Sequence, residues 1–200
     1  SANHWDSGLF WAAALSRLGH QVRLWDHRLE PPPPLDGLDC SIAMKGPPDL
    51  ARHLTTRRAC YWPDAFERTP GLEHDLLEAY SIAATPVRPT PKGWLWLPTG
   101  WDPLIHRPSE VAPLWDSSFI GTGTMRKAEF LRAIHPTLVF GNSWNGLLQG
   151  VNAPVYLHDY VDVLGKTRVS VNLHRSDTVG FNRRLLESIA CTFTITDVVP

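Results

Sequence analysis

Short strand-like segments alternate with helical ones along most of this 200-residue chain, and this alternation constrains its fold more than any other feature. Apolar residues spaced by two indicate strands, and apolar positions spaced by three or four indicate helices. We predict strands over 21–26, 39–44, 58–62, 80–84, 93–97, 118–121, 138–140, 169–173 and 193–196. We predict helices over 5–18, 49–55, 72–78, 126–134, 156–164 and 182–191. Strands that alternate with helices are typical of an α/β fold with a mostly parallel, covered sheet.

A segment rich in proline and polar residues, 98–115, interrupts the alternation and shows no clear period. Boundaries between domains favour such segments. We therefore predict an N-terminal lobe over 1–97, a linker over 98–115 and a C-terminal lobe over 116–200. A first strand is expected before Ser1 and further elements are expected after Pro200, so we expect the fold to be truncated at both ends.

The composition narrows the class of protein. The 19 basic and 20 acidic residues give a formal net charge of −1, which favours no nucleic acid partner. The cysteines, Cys40, Cys60 and Cys191, are odd in number and widely spaced, so neither a disulfide framework nor a zinc site is indicated. None of the nine histidines pairs at ligand spacing, so we predict no metal. No apolar run approaches the ~20 residues that span a bilayer, so we expect a cytoplasmic protein with neither a membrane span nor a signal peptide.

The most informative stretch reads as strand, polar loop and helix. The strand ends on Asn172-Leu173-His174, where Asn172 is predicted to contact substrate, and the loop over 175–181 leads into the helix over 182–191. A helix N-terminus presents unpaired N–H groups and a positive dipole end, which suit a diphosphate. Gly180 would let that group approach the backbone closely. The sequence therefore predicts a phosphate site at this helix start.

The same helix carries charged residues that fit such a ligand. Arg183 or Arg184 could donate two parallel hydrogen bonds to phosphate. Glu187, one turn further on, could accept hydrogen bonds from both hydroxyls of a ribose. Spacing alone favours a simpler interpretation, in which Glu187 forms a surface ion pair with either arginine, worth well under ~1 kcal/mol. The apolar side chains of this helix, Leu185, Leu186 and Ile189, are predicted to lie in the core.

A second candidate is the loop Gly121-Thr122-Gly123-Thr124, between a strand and a helix. It is either a tight turn or a loop that faces phosphate or sugar, with Arg126 or Lys127 nearby as charge. It lacks the third glycine of the dinucleotide fingerprint and the lysine of a P-loop. We therefore disfavour an NAD enzyme and an NTPase.

Two residues are candidates for catalysis. His174 ends a strand on the side of the proposed site, although a histidine with its hydrogen bonds satisfied in the surface or core is the commoner case. Asp64 follows the strand over 58–62, where α/β clefts hold ligands, and it faces an acceptor or starts a turn. We interpret the three tryptophans Trp94, Trp96 and Trp101 as packing in the core and at the lobe boundary, and not as a platform on which a ligand stacks.

Several of these segments resemble the CgeB-like glycosyltransferases, named after a spore maturation protein and related to the retaining two-Rossmann (GT-B) transferases. In the C-terminal lobe the similar segments are 118–121 with Arg126, 140–141 with Trp144, 171–174, 184–187, 190–191 and 193–197. The N-terminal lobe is similar more loosely, over 18–22, 62–64 and 97–102. One departure is Thr192, where the family usually has glycine.

The resemblance implies two facing Rossmann-like lobes, with the nucleotide-sugar donor on the C-terminal lobe and the acceptor on the N-terminal one. It implies that Glu187 holds the donor ribose, that Arg184 supplies charge, and that catalysis uses no metal or other cofactor. Positive groups and a helix end would stabilise the leaving diphosphate.

The expected function is that of a hexosyltransferase moving sugar from a nucleotide-diphosphate donor to an unknown acceptor. Two alternatives stay open: a degenerate, non-catalytic relative that acts in a structural or surface assembly, and a nucleotide-sugar epimerase on the same scaffold. Under the first interpretation, replacing Glu187 by alanine weakens nucleotide binding with little loss of folding.

Overall fold

The computed structural model describes residues 5–26, 29–63, 71–86, 88–174 and 183–197. The chain forms two compact units, one of Ser7–Thr99 and one built on Gly100–Pro200. Both have parallel sheets and helices, so the predicted α/β class is confirmed and fits a Rossmann-like fold. No helix in these described ranges is long and apolar enough to cross a membrane.

The first unit is built around a four-stranded parallel sheet in the order β1-β2-β3-β4. Its strands are β1 (Ser41–Met44), β2 (Arg58–Tyr61), β3 (Ile82–Thr85) and β4 (Leu95–Trp96). Its helices are α1 (Trp5–Arg17), the 3-10 helix Pro48–His53 and α2 (Leu72–Ala79). The core side chains include Leu76, Cys60, Ala83 and Trp94.

The second unit has a four-stranded parallel sheet in the order β6-β5-β7-β8. Its strands are β5 (Trp115–Ile120), β6 (Leu138–Phe140), β7 (Thr167–Asn172) and β8 (Phe193–Thr196). The helices that connect them are α3 (Met125–Ile134), α4 (Leu157–Gly165) and α5 (Arg183–Cys191). The core packs around Phe119, whose ring meets Trp144 edge-on at 5.7 Å between centroids.

The strand order places a switch point beside β5. The chain runs from β5 to β6 on one side and then crosses to β7 on the other side of β5. The loops after β5 and β7 therefore leave the sheet in opposite directions, and a crevice forms between them at the carboxyl ends of the strands. Ligands of open α/β sheets bind in this type of crevice.

One predicted strand is absent from the structure, and another is shortened to two residues. Residues 21–26 alternate like a strand but form none, because alternation gives no strand unless a neighbouring strand supplies hydrogen bonds. The strand predicted over 93–97 is reduced to Leu95–Trp96, since Trp94 turns into the core and donates its indole N–H to the Glu73 carbonyl.

The buried face of two helices also differs from prediction. On α3, Leu131 is buried, but Phe130 and Ile134 are exposed and Lys127 is buried in their place. On α5, Leu185 is buried as predicted, but Ile189 is 58% exposed. The apolar residues are at helical spacing in both cases, and the position of the sheet decides which of them it covers.

Candidate functional site

Three glycines allow two loops to touch at the carboxyl edge of the second sheet. The Gly121 N–H donates to the Phe140 carbonyl at 2.9 Å, and the Gly123 N–H donates to the Asn142 carbonyl at 2.8 Å. A Cβ on Gly141, whose φ is +143°, would lie 1.9 Å from the Gly121 carbonyl oxygen. One on Gly123 would lie 2.3 Å from the Ser143 carbonyl oxygen. The glycines are thus required for the close approach of the loops that follow β5 and β6.

The Gly121-Thr122-Gly123-Thr124 loop leads directly into α3. Thr124 caps the helix, and its hydroxyl accepts from the Lys127 backbone N–H at 3.4 Å. The Lys127 ammonium is buried and donates back to the Thr122 carbonyl at 3.3 Å. Lys127 therefore stabilises the conformation of the glycine loop through the Thr122 carbonyl. The positive charge beside Gly121 and Thr122 in the pocket described next comes from Arg184.

A small open pocket lies at the carboxyl end of β5. Its lining comes from three loops and one helix: Ile120, Gly121, Thr122, Gly141, Asn142, Pro154, Val155, Tyr156 and Arg184. Gly121, Thr122 and Arg184 were predicted as ligand contacts, and the structure brings them together at the switch point of the sheet.

Arg184 is the charged group of this pocket, and its guanidinium is held in place. Nη1 donates to the Ile120 carbonyl at 2.7 Å. The guanidinium carbon also lies 5.9 Å from the centroid of the Tyr160 ring. A guanidinium has five N–H donors, so one bond to a carbonyl leaves most of its capacity for an anionic ligand.

A second cluster at the same edge joins His174, Arg126 and Asp197. The Asp197 Oδ1 accepts from the His174 backbone N–H at 2.9 Å and from its ring Nδ1 at 2.7 Å. The Asp197 Oδ2 accepts from Arg126 Nη2 at 2.8 Å, and Arg126 Nη1 donates to the His174 carbonyl at 3.3 Å. Burial opposes ionisation of Asp197, but the bonds from His174 and Arg126 outweigh it and hold its pKa below the usual value.

Asn172 supports this cluster. Its side chain is buried and donates to the Thr196 hydroxyl at 3.2 Å, which lies 3.4 Å from His174 Nδ1. Asn172 therefore joins β7 to β8 beneath the histidine, and its predicted contact with substrate stays a prediction.

Glu187 is buried and paired, with its side chain only 3% exposed. Its Oε1 accepts from Arg183 Nε at 2.8 Å and lies 3.8 Å from His106 Nε2. His106 is buried in the turn that begins at Asp102. The ring Nδ1 of His106 lies 3.2 Å from the backbone N of Asp102 and 3.2 Å from the backbone O of the same residue. The predicted pairing of Glu187 with Arg183 is present, but it is not a surface pair, because the Glu187 side chain is buried and that of Arg183 is only partly exposed.

The field of this carboxylate reaches its neighbours. Burial and then the charge of Glu187 raise the pKa of the Tyr160 hydroxyl above its ordinary value. The same two causes, in the same order, raise the pKa of the Cys191 thiol to about 11. The Glu187 carboxyl thus lies among buried side chains of α4 and α5, and its predicted contact with a ribose stays a prediction.

The departure at Thr192 lies at the opposite edge of the sheet. Its hydroxyl donates to the Thr167 carbonyl at 2.6 Å and is 3.1 Å from the Arg168 carbonyl oxygen. Both are at the start of β7, whereas ligands of α/β sheets bind at the strands' carboxyl ends. The substitution is accommodated by hydrogen bonds and leaves the pocket unobstructed.

A protein-family model described as "Glycosyl transferase-like" matches residues 126–199, from α3 to just beyond β8. The match supports a glycosyltransferase family. No curated protein and no solved structure matches the chain. The narrower CgeB-like assignment stays a prediction.

The matched segment contains Arg126, Asn172, His174, Arg183, Arg184 and Glu187, while the glycine loop precedes it. Gly180, which was predicted to contact substrate, and Asp64, which was a candidate for catalysis, lie outside the described residues. No group of three or more His, Cys, Asp or Glu side chains in the described ranges could hold a metal ion.

Sequence reasoning missed Asp197, His106 and Tyr160. Asp197 gave one signal, since it is an acid directly after a predicted strand of the second lobe. His106 gave none, because it lies in the segment over 98–115 that was interpreted as a linker. Tyr160 is one residue within a helix and nothing in its spacing marks it as a support for Arg184.

Proposed function

We propose that the chain is a glycosyltransferase whose second unit binds a nucleotide-diphosphate sugar at the carboxyl edge of the β6-β5-β7-β8 sheet. The glycosyltransferase-like match supports sugar transfer in general. The observation that carries the donor site is the pocket at the end of β5, with a fixed guanidinium, a glycine loop and a helix start around it.

Arg184 is assigned to the diphosphate. Its guanidinium is oriented by the Ile120 carbonyl and the Tyr160 ring before any ligand arrives, so little side-chain freedom is lost on binding. The glycine loop leads into the N-terminus of the ten-residue α3, where the positive end of the helix dipole favours an anion. The two features together suit a pyrophosphate.

Arg126 and His174 are assigned to the charge that develops when the sugar leaves the diphosphate. Cationic or hydrogen-bonding groups fixed near a leaving group lower the energy of the transition state. Arg126 is 55% exposed and bonded at two points, so it can also reach a ligand.

Glu187 is the proposed ribose ligand, provided that the residues around its buried side chain rearrange. Arg183 already donates to its Oε1, so a ribose would share that oxygen with Arg183 or use the second carboxylate oxygen. Because the side chain is 3% exposed, the turn that carries His106 would have to move to admit a sugar. A hexosyl donor, an acceptor bound near Asp64, the facing GT-B arrangement of lobes and a cytoplasmic location also belong to this proposal.

Calorimetric titration with UDP and GDP tests the donor site. Arg184→Ala removes the proposed phosphate ligand, and Arg168→Ala is the matched control because Arg168 is exposed at the start of β7. Loss of hydrogen bonds to a charged group costs about 1.5–3 kcal/mol, so we expect binding about 10- to 100-fold weaker in Arg184→Ala. Thermal melts establish that both variants are folded.

Equal affinity in the two variants would remove Arg184 and the pocket from the proposal. If the nucleotide binds, incubation with UDP- and GDP-hexoses, with and without candidate acceptors, separates the remaining functions. Product sugar on the acceptor supports transfer. A changed sugar without acceptor indicates an epimerase instead.

A further inference from the structure

Asp197 touches two candidate site residues from different elements, and nothing in the sequence pattern or the family match assigns it a role. We propose that Asp197 is a positioning residue, which fixes the tautomer of His174 with one carboxylate oxygen and the direction of Arg126 with the other. The consequence for donor binding rests on the proposed function, whereas the tautomer does not.

The contact with His174 determines which ring nitrogen carries the proton. The ring is 2% exposed, and its Nδ1 lies 2.7 Å from Asp197 Oδ1. An ionised carboxylate only accepts hydrogen bonds, so the proton of a neutral imidazole must be on Nδ1. Nε2 is then the nitrogen with a lone pair, or the second donor when the ring is doubly protonated.

Further contacts keep the carboxylate in this position. The His174 backbone N–H donates to the same Oδ1 at 2.9 Å, so rotation of the carboxylate would break two bonds at once. The Thr196 hydroxyl, which accepts from Asn172, also lies 3.4 Å from Nδ1. The His174 ring is therefore oriented by its two neighbouring strand ends, β7 and β8.

The contact with Arg126 fixes a charge that is exposed. Its Nη2 lies 2.8 Å from Asp197 Oδ2, while its Nη1 reaches the His174 carbonyl at 3.3 Å. Two-point attachment holds the guanidinium plane, and its 55% exposure leaves an edge towards solvent. A donor group held before binding loses less conformational entropy when an anion arrives.

Asp197 thereby links the three connections that leave the carboxyl ends of β5, β7 and β8. Arg126 comes from the first turn of α3 after β5, His174 follows β7 and Asp197 follows β8. In the described ranges, the Arg126 guanidinium and the His174 imidazole face the carboxylate, one from each neighbouring connection. One acid thus sets the positions of the two groups that are proposed to stabilise the charge developing on the leaving diphosphate, Arg126 and His174.

The direct test is nitrogen-15 NMR of the His174 imidazole, assigned by the signal that is lost in His174→Gln. Wild-type protein, at a pH where the ring carries a single proton, is expected to show the Nδ1-protonated tautomer. Asp197→Ala is expected to show a mixture with the Nε2-protonated form. Asp197→Asn retains one acceptor oxygen and is expected to be intermediate. Asp116→Ala, which alters an exposed aspartate on β5, is the matched control and should resemble wild type.

Titration with UDP and GDP gives the second readout. We expect affinity to fall at least about threefold in Asp197→Ala, to be partly restored in Asp197→Asn and to be unchanged in Asp116→Ala. A tautomer or an affinity that is the same in Asp197→Ala as in wild type would overturn the respective half of the proposal. If Asp197→Ala does not fold, Asp197→Asn carries both comparisons. Absence of any nucleotide binding by wild type refutes the proposed function, while the tautomer result still decides the role of Asp197.

Discussion

Replacing Glu187 by alanine removes a buried carboxylate that lies against two ionisable side chains, Arg183 on the same helix and His106. The glutamate side chain is 3% exposed, that of His106 is 0% exposed and that of Arg183 is 30% exposed. The variant therefore removes one acceptor from a partly buried guanidinium and opens space beside a buried imidazole.

The size of the effect follows from burial. Removing one partner of a buried ion pair costs about 3–5 kcal/mol. The partial exposure of Arg183 lets water replace some of the lost interaction, which lowers our expectation to about 2–3 kcal/mol. In a chain of this length each kcal/mol shifts the melting midpoint by about 2–4 °C, so a fall of about 4–12 °C is expected. Little loss of folding, which the sequence suggested, is no longer expected.

Differential scanning calorimetry measures this shift. Glu129→Ala is the matched control, since Glu129 is an exposed glutamate on helix α3. Glu187→Gln keeps an oxygen acceptor for Arg183 and should fall about midway. If Glu187→Ala melts within about 1 °C of the Glu129→Ala control, the buried pair contributes nothing and the reasoning from burial is refuted. Nucleotide titration below the melting range then tests the ribose contact separately.

Three further predictions concern the loop contact, the acid stability and the thiols. Gly141→Ala should lower the free energy of unfolding in urea by about 1–3 kcal/mol or more, because the new Cβ meets the Gly121 carbonyl at 1.9 Å. Gly100→Ala is the control and should change the stability little, because a Cβ there meets no atom within 4 Å. Equal effects of the two substitutions would contradict the close approach of the loops. The pKa of Asp197 is lowered in the folded state, so its stabilising contribution is complete above its ordinary value near 3.8 and is lost as pH falls through the lower folded value. Asp197→Asn should lose this acid-dependent part of the stability curve, and a curve parallel to that of wild type would argue against it. Exposed Cys40 should react rapidly with a thiol reagent in the native protein. Burial raises the pKa of Cys60 to about 12 and that of Cys191 to about 11, so these two thiols should react only on unfolding. Equal labelling of the three cysteines in peptide mapping of the native protein would refute the burial of Cys60 and Cys191.

Local pattern located the secondary structure of the second unit closely. The strands over 138–140 and 193–196 have the predicted bounds, and α3 begins one residue earlier than predicted. These segments follow from side-chain periodicity, which is a property of neighbouring residues. The segment over 21–26 shows the limit, since its alternation is equally clear and it forms no strand in the structure.

What the sequence determined by itself is the α/β class, the order of the elements and the residue types from which a phosphate site could be built. Tertiary structure decided the rest: that Lys127 and Glu187 are buried while Phe130 and Ile189 are exposed, and that Arg126 meets Asp197 from 71 positions away. The physical reason is that hydrogen bonds and burial between distant residues depend on which strands lie side by side. The order β6-β5-β7-β8 sets those neighbours, and no local spacing encodes it.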